Sequence, residues 1–301
     1  MKFKTDLITS LINCDNPIPS VWEALLNFWL NNADSDLKDY YYRGEEDAFL
    51  FEDFLLKTYD EFFTNLLPRA CLNEPSPFQK GTHDICFIVM DGMSIREGVL
   101  IFKTLQKQGI TAKINYFLSA VPSDTLSFRE KIKSDLSGKD NFIEINNPKE
   151  IRISTDVRYI WSYFPDVLLD KIQVGHTVIS DLENMYKTSE KIILRVLERI
   201  NSKKILILSD HGYIRSEPGF SFSVPDSIKK KLREAFGSSR YITMDKAELS
   251  DLVQIGLVAD FAGYYLVKSR YIWPVPGKYN IYLHGGISLM ECFVPVIEVE
   301  R

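Results

Sequence analysis

Residues 205–212 read Ile-Leu-Ile-Leu-Ser-Asp-His-Gly. Four apolar residues run straight into Ser209, Asp210 and His211. A short, unbroken apolar run is what a parallel strand covered on both faces looks like. A carboxylate beside an imidazole at its end needs counter-charge, water or a metal ion. The stretch reads as one wall of a two-metal phosphohydrolase site. That reading requires other strands of the chain to end in the same way.

Working outward, Ile85–Met90 (ICFIVM) is a second apolar run, closed by Asp91-Gly92. The pattern that follows, IREGVLIFKTLQKQG, is an amphipathic helix stopped by Gly109. Ala112–Leu118 predicts the next strand, which completes a βαβ unit with a right-handed crossover. Pro122, Ser123, Thr125 and Arg129 follow in a loop. Arg158–Phe164 predicts a third strand, followed by Pro165, Asp166 and Asp170. An amphipathic helix over 177–200 leads into the opening stretch. Beyond Gly212 the pattern is mixed up to Lys278, with helices predicted over Ser227–Phe236 and Lys246–Val253. Tyr279–Leu283 predicts a fifth strand, ending at His284-Gly285-Gly286, and Phe293–Glu298 a closing one. Strands alternating with helices predict an α/β fold with a mostly parallel sheet flanked by helices.

Residues 1–80 differ. Val21–Trp29 and Phe49–Leu67 carry apolar residues at helical spacing with acidic residues between, and Asn16 and Ser20 are candidate N-caps. Residues 72–84 are rich in turn formers and read as a linker. This piece is expected to be a helical accessory region that docks a partner or acts as a lid, with 81–301 as the catalytic domain. The chain of 301 residues is 45% hydrophobic with a formal net charge of −5, enough for a large core and too acidic for an obvious DNA binder. Its four cysteines form no CxxC pair, which argues against a zinc knuckle or redox motif. The start lacks a signal peptide and no apolar run has membrane-spanning length, so no membrane and a cytoplasmic location are expected.

In open α/β sheets ligands bind at the carboxyl ends of the strands. Those ends here carry Asp91, Thr125, Asp166, Asp210 with His211, and His284. Taken singly, a strand-end Asp is more often a turn or cap residue, and a lone His more often a hydrogen-bonded structural one. As a set they suit two divalent ions with mixed carboxylate and imidazole ligands, zinc first and manganese as a fitting alternative. Two such ions clamp the attacking and leaving oxygens of a phosphoryl displacement. Thr125 is the candidate nucleophile; Ser123 competes, and Ser94 reads as a helix cap. Arg129 and Arg240 are candidate phosphate contacts, and each is equally readable as a surface arginine. Glu291 either orients a ligand or caps a helix. Lys229–Lys231 read as a solvated helix face, and as the first place for backbone contact if the substrate is a nucleic acid.

The motifs MDG (90–92), VPSDT (121–125) with Arg129, FPD (164–166), ILILSDHG and above all HGGISLMECFVPV (284–296) resemble the PglZ domain of the alkaline phosphatase superfamily. The resemblance covers 85–299. It implies an alkaline phosphatase-like fold with two divalent metals. Asp91, Thr125, Asp210 and His211 would surround one; Asp166 and His284 would hold the other, with Asp170 as a further ligand. Superfamily members often carry His where Asp170 stands, and His176 is the substitute on offer. It further implies a Thr nucleophile of the phosphodiesterase type, acting on a phosphate ester such as a nucleic acid or nucleotide. It also implies bacterial phage-defence or signalling settings, with methyltransferases and ATPases as defence-system partners. The rival expectation is a catalytically weak scaffold of the same fold that binds such partners.

Overall fold

The computed structural model describes residues 9, 11, 14–79, 85–136, 142–172 and 178–301. The N-terminal elements with described bounds are α1 (Ile18–Asn32), α2 (Leu37–Thr58) and α3 (Leu67–Asn73), the last preceded by a π-helical turn at Phe62–Leu66. Next are β1 (Ile85–Met90), α4 (Ile95–Lys107), β2 (Thr111–Leu118), α5 (Thr125–Leu136), β3 (Ile143–Ile145), β4 (Tyr159–Ser162), α6 (Asp166–Leu169), α7 (Val178–Arg199) and β5 (Lys204–Leu208). The remainder adds β6 (Ile214–Arg215), β7 (Phe222–Ser223), α8 (Asp226–Phe236), β8 (Tyr241–Thr243), α9 (Ser250–Gln254), β9 (Val258–Phe261), β10 (Tyr264–Val267), β11 (Tyr271–Ile272), β12 (Tyr282–Leu283), α10 (Leu289–Cys292) and β13 (Phe293–Glu300).

Six strands form the central sheet in the order β2-β13-β5-β1-β4-β3. β1 runs parallel to both β5 and β4, and β3 parallel to β4. β13 alone is antiparallel to its neighbours β5 and β2. The fold is therefore α/β with a mostly parallel sheet flanked by helices. All six residues of β1 are buried, which is why its sequence shows no polar alternation. α4 starts where Ser94 and Glu97 close a capping box and keeps Ile95, Val99, Ile101 and Leu105 on its buried face. Neither expected cap holds the N-cap position of α1, which is Pro17; Asn16 stands just before it, its Oδ1 accepting from the Ile18 N–H at 3.1 Å, and Ser20 lies inside the helix.

Two strand expectations change. β1 and β2 share the sheet but are not neighbours, because β5 and β13 lie between them. Tyr279–Leu283 is not a strand of this sheet. β13 fills the place beside β5 over eight residues, and only Tyr282–Leu283 pair, antiparallel with β6. The strand that sequence reading lacks is β3. A three-stranded sheet, β8-β10-β9, stands apart in the region expected to be mixed.

The helices of residues 18–73 share one apolar core with Leu118, Tyr213, Ile287 and Phe293. Buried charges cross the same boundary. Glu45 pairs with Arg96 and Arg270, and Glu52 with Arg270 at 2.7 Å. Arg96 reaches on to the Tyr213 carbonyl at 2.9 Å, and Glu52 accepts from the Leu289 N–H at 3.0 Å. Two anions on α2 thus tie down the chain just after Asp210-His211 and just after His284-Gly285-Gly286. Among the described residues no helix is long and apolar enough to cross a membrane.

Candidate metal centre

Four of the side chains come from the ends of β1, β4 and β5. β1 and β4 pair in register, Val89 opposite Trp161 and Met90 opposite Ser162. Asp91 lies two residues past Val89 and so on the same face as Trp161. The indole Nε1 of Trp161 donates to Asp91 Oδ2 at 3.2 Å. Asp166 opens the short α6 after the Phe164-Pro165 turn, and its N–H bonds the Asp91 carbonyl at 3.0 Å. Between them Gly92 holds a positive φ of 70°, and a Cβ there would lie 3.0 Å from the Asp166 side chain. The turn after β1 therefore selects glycine twice over.

Asp210 and His211 follow β5. Asp210 Oδ1 accepts from the N–H groups of Gly92 and His211, each at 3.0 Å. This leaves Oδ2 facing Thr125, whose hydroxyl donates to it at 2.6 Å and to Asp91 Oδ1 at 3.1 Å. Thr125 does not sit in a loop after β2, as sequence reading has it. It is the first residue of α5, placed there by a turn in which Asp124 Oδ1 accepts from the Ser127 N–H at 2.8 Å. The positive end of that helix's dipole lies at its hydroxyl.

His284 arrives from the other direction, on the loop after β12. Its ring stacks on His211, centroids 4.0 Å apart and planes 17° from parallel. Ser123 holds that loop, donating to the Gly286 carbonyl at 2.8 Å and accepting from the Gly285 N–H at 3.1 Å. Gly212 packs so closely on the Met290 carbonyl oxygen that a Cβ has no room, and its N–H bonds the Glu291 carbonyl at 2.9 Å. The two histidine motifs are thereby locked together through backbone.

The ligand-type atoms of Asp91, Asp210 and His211 lie within 4.8 Å of one another, as do those of Asp166, His211 and His284. His211 Nδ1 lies 2.9 Å from the Gly212 carbonyl, which leaves Nε2 facing Asp91 and Asp210, each at 3.7 Å. Among the described residues, His211 Nε2 and His284 Nδ1 are buried without a hydrogen-bond partner. Buried polar atoms are rarely left so. Three carboxylates with two orphaned imidazole nitrogens are a donor set that fits zinc or manganese.

The electrostatics agree with a site built around missing positive charge. Burial, then the neighbouring Asp210 carboxylate, push Asp91 up to about 8. Burial opposes a charged His211, but Asp210, Asp166 and Asp91 outweigh it and raise the imidazole to about 9. Burial and His211 lower His284. One stacked ring is thus held charged and the other neutral.

The remaining expected residues lie elsewhere. Asp170 is outside both groups of converging donors; it lines the adjoining cleft, and burial and Asp166 raise its carboxyl. His176 lies outside the described residues. Arg129 sits over the Trp161 ring, 4.4 Å from its centroid, and pairs with Glu144 at 3.8 Å. Arg240 is no free phosphate contact. It is buried, its guanidinium bonding Glu291 at 2.7 and 3.2 Å and the carbonyls of Ser269 and Tyr271. Its partner Glu291 also accepts from the Gly286 N–H at 2.8 Å, so the pair braces the loop that carries His284, while Ser288 caps α10. Ser94 caps α4. Lys229, Lys230 and Lys231 each pair with a carboxylate on or near α8. Trp161, Glu45 and Glu52 have no expected role in the sequence. Only Trp161 gives a hint, as a large donor one residue before the end of a strand that leads to Asp166.

A family model described as the BREX system PglZ alkaline phosphatase-like domain matches residues 142–299, just over half of the chain. The chain is 22% identical over 152 residues to the alkaline phosphatase-like protein BrxZ of Escherichia coli O9:H4 (strain HS). It is 24% identical over 152 residues to the alkaline phosphatase-like protein PglZ of Bacillus cereus (strain H3081.97). Each match covers 48% of this chain but 18% of the relative, so the shared segment spans less than a fifth of those proteins. Among solved structures, phosphonoacetate hydrolase from Sinorhizobium meliloti 1021, in complex with phosphonoformate, is 17% identical. That match covers 48% of this chain and 45% of the other at a TM-score of 0.26.

Proposed function

Because this chain belongs to the PglZ alkaline phosphatase-like domain family, we propose that it is a metal-dependent phosphohydrolase that cleaves phosphodiesters with Thr125 as nucleophile. The setting proposed is bacterial phage defence or signalling, in company with other proteins of such a system. The observation that carries the reading is the Thr125 hydroxyl, held between Asp210 and Asp91 beside two orphaned imidazole nitrogens.

Asp91, Asp210 and Thr125 would hold one ion and Asp166 with His284 the other. His211 has one free nitrogen and serves one ion at a time; its place between Asp91 and Asp210 favours the Thr125 side. The second ion then has fewer protein donors and binds more weakly. When bound, the ions supply Lewis-acid charge against the phosphoryl oxygens and favour the ionised nucleophile.

The chain's own residues do the rest. The Thr125 hydroxyl proton already has two carboxylate acceptors in place. Its oxygen attacks phosphorus as its proton passes to a carboxylate, one ester oxygen departs as an alcohol after taking up a proton, and Thr125 is left esterified to a phosphate that still carries the second ester group. Water then attacks that phosphorus, a phosphate monoester leaves, and the Thr125 oxygen takes up a proton to restore the hydroxyl. The N-terminus of α5 favours the negative charge that builds beside Thr125 in both steps. Trp161 fixes the rotation of Asp91, and the two backbone N–H bonds fix that of Asp210.

Metal content together with hydrolysis of bis-p-nitrophenyl phosphate tests this. Zinc or manganese is expected to bind and support turnover, and Thr125→Ala to abolish turnover with fold and metal kept. Absence of both metal and turnover supports the scaffold instead, which the position of Asp170 outside the donor groups favours. Full activity in Thr125→Ala removes Thr125 from the role.

A further inference from the structure

A cleft of about 810 Å³ is lined by His284 of the second donor group, by Asp170, and by Tyr241 and Asp124, the residue before Thr125. We propose that this cleft is a subsite for a nucleobase, and that the phosphodiester cleaved here is a nucleoside phosphate ester. The inference rests on the phosphohydrolase reading and names the class of substrate for that site.

The outer lining carries it. Tyr241, Trp273 and Tyr279 contribute aromatic rings and Lys278 contributes positive charge, while Lys229 is held by Asp226 at 2.5 Å. Trp273 is held in place: its N–H bonds the Gly237 carbonyl at 3.0 Å and its ring packs on Phe236 at 5.6 Å. Tyr279 is 60% exposed, a large ring left in solvent at the cleft. Aromatic rings and a cation lining one cleft suit a base joined to a phosphate, since the base stacks and a neighbouring phosphate meets Lys278. A neutral sugar or lipid offers no anion to Lys278. The volume lies within the range of small-molecule sites. Asn280 and several serines on the same wall supply donors and acceptors for a base edge. Apolar residues also stand next to both halves of the centre: Leu126, after Thr125, is 75% exposed and Val167, after Asp166, 38%.

The test compares two esters with the same leaving group on the metal-loaded protein: thymidine 5′-(p-nitrophenyl phosphate) and ethyl p-nitrophenyl phosphate. A stacking subsite raises kcat/KM for the nucleoside ester about tenfold or more over the ethyl ester. Tyr279→Ala should remove most of that preference through KM and leave the ethyl ester rate unchanged; Tyr279→Phe should keep it. Equal kcat/KM for the two esters in the wild type overturns the subsite while leaving the phosphohydrolase standing. An equal loss on both esters in Tyr279→Ala does the same. If neither ester is turned over, the phosphohydrolase reading fails. Adenosine 5′-monophosphate binding, read by tryptophan fluorescence against inorganic phosphate, then decides the subsite. Quenching that Tyr279→Ala abolishes upholds it, and no binding overturns it. A single-stranded DNA oligonucleotide distinguishes the two sources of this chemistry. Tyr279-dependent cleavage assigns a polymer, and turnover of the thymidine ester alone assigns a free nucleotide ester.

Discussion

Replacing Glu52 by glutamine tests how the N-terminal helices are bound to the metal centre. Glu52 is fully buried, with one oxygen on Arg270 Nε at 2.7 Å and the other on the Leu289 N–H at 3.0 Å. Arg270, equally buried, also pairs with Glu45, which pairs with Arg96. Two cations and two anions pair here away from solvent, Arg270 relying on Glu52 and Glu45 for its ion pairs while Arg96 also lies near the buried Glu97. Burial raises the Glu52 carboxyl in spite of the opposing pull of Arg270, so desolvation is the larger effect at this position. Glutamine restores an acceptor for Leu289 but leaves one uncompensated positive charge in the core. Removing one partner of a buried pair costs about 3–5 kcal/mol. The control is Asp39→Asn, whose pair with Arg43 is largely solvated at 60% and 43% exposure and is worth about 0–1 kcal/mol. Urea unfolding followed by circular dichroism gives both values. A loss of at least about 3 kcal/mol is expected for Glu52→Gln. Adding Arg270→Gln should cost less than the sum of the single changes, because the pair leaves together. A Glu52→Gln protein within about 1 kcal/mol of wild type refutes the claim that this network fastens the helices to the site.

Other outcomes follow from the same geometry. Gly212→Ala drives a methyl into the Met290 carbonyl and should cost about 2 kcal/mol or more in thermal or urea unfolding; an unchanged midpoint contradicts the backbone lock between the two histidine motifs. Zinc affinity should rise from pH 6 to pH 9. Asp91 and His211 hold protons up to about 8 and about 9 in the metal-free protein, and a metal must displace them, about tenfold per pH unit for each proton. A flat affinity profile by competition titration opposes that assignment. Asp166→Asn or His284→Ala should lower the weaker metal equivalent by elemental analysis and spare the tighter one, whereas Asp170→Asn should alter neither.

The sheet was legible where physics writes it locally. β1 and residues 205–208 of β5 are buried on both faces, so each is a continuous apolar run, and they break sharply at Asp91 and at Ser209-Asp210 because the strands end there. β3 escaped notice because three residues, Ile-Glu-Ile, carry neither length nor full burial. The strands β8, β9 and β10 are likewise three or four residues long. Tyr279–Leu283 misled because its short apolar and aromatic run before His284-Gly285-Gly286 reads as a strand, while the ladder beside β5 belongs to β13. The residues Asp91, Thr125, Asp166, Asp210, His211 and His284 stood out because polar ligands following apolar runs are conspicuous. Arg240 and Glu291, 51 positions apart, do not announce each other, since a buried ion pair leaves no local period in the chain.

That contrast bears on how the centre is made. The residues conspicuous in sequence are those proposed to meet the ions and the substrate, but their positions depend on inconspicuous ones. His284 lies on a loop, outside the main sheet, and three separate holds fix that loop. Ser123 grips Gly285 and Gly286, the Arg240–Glu291 pair fastens Gly286, and Glu52 fastens Leu289. Asp210 and His211 instead inherit their place from β5, through backbone N–H bonds to one carboxylate oxygen. The strand-borne half of the centre therefore tolerates damage at a distance better than the loop-borne half. A change at Ser123, Glu291 or Glu52 should weaken the ion beside His284 first, with the ion beside Thr125 retained until the sheet itself melts.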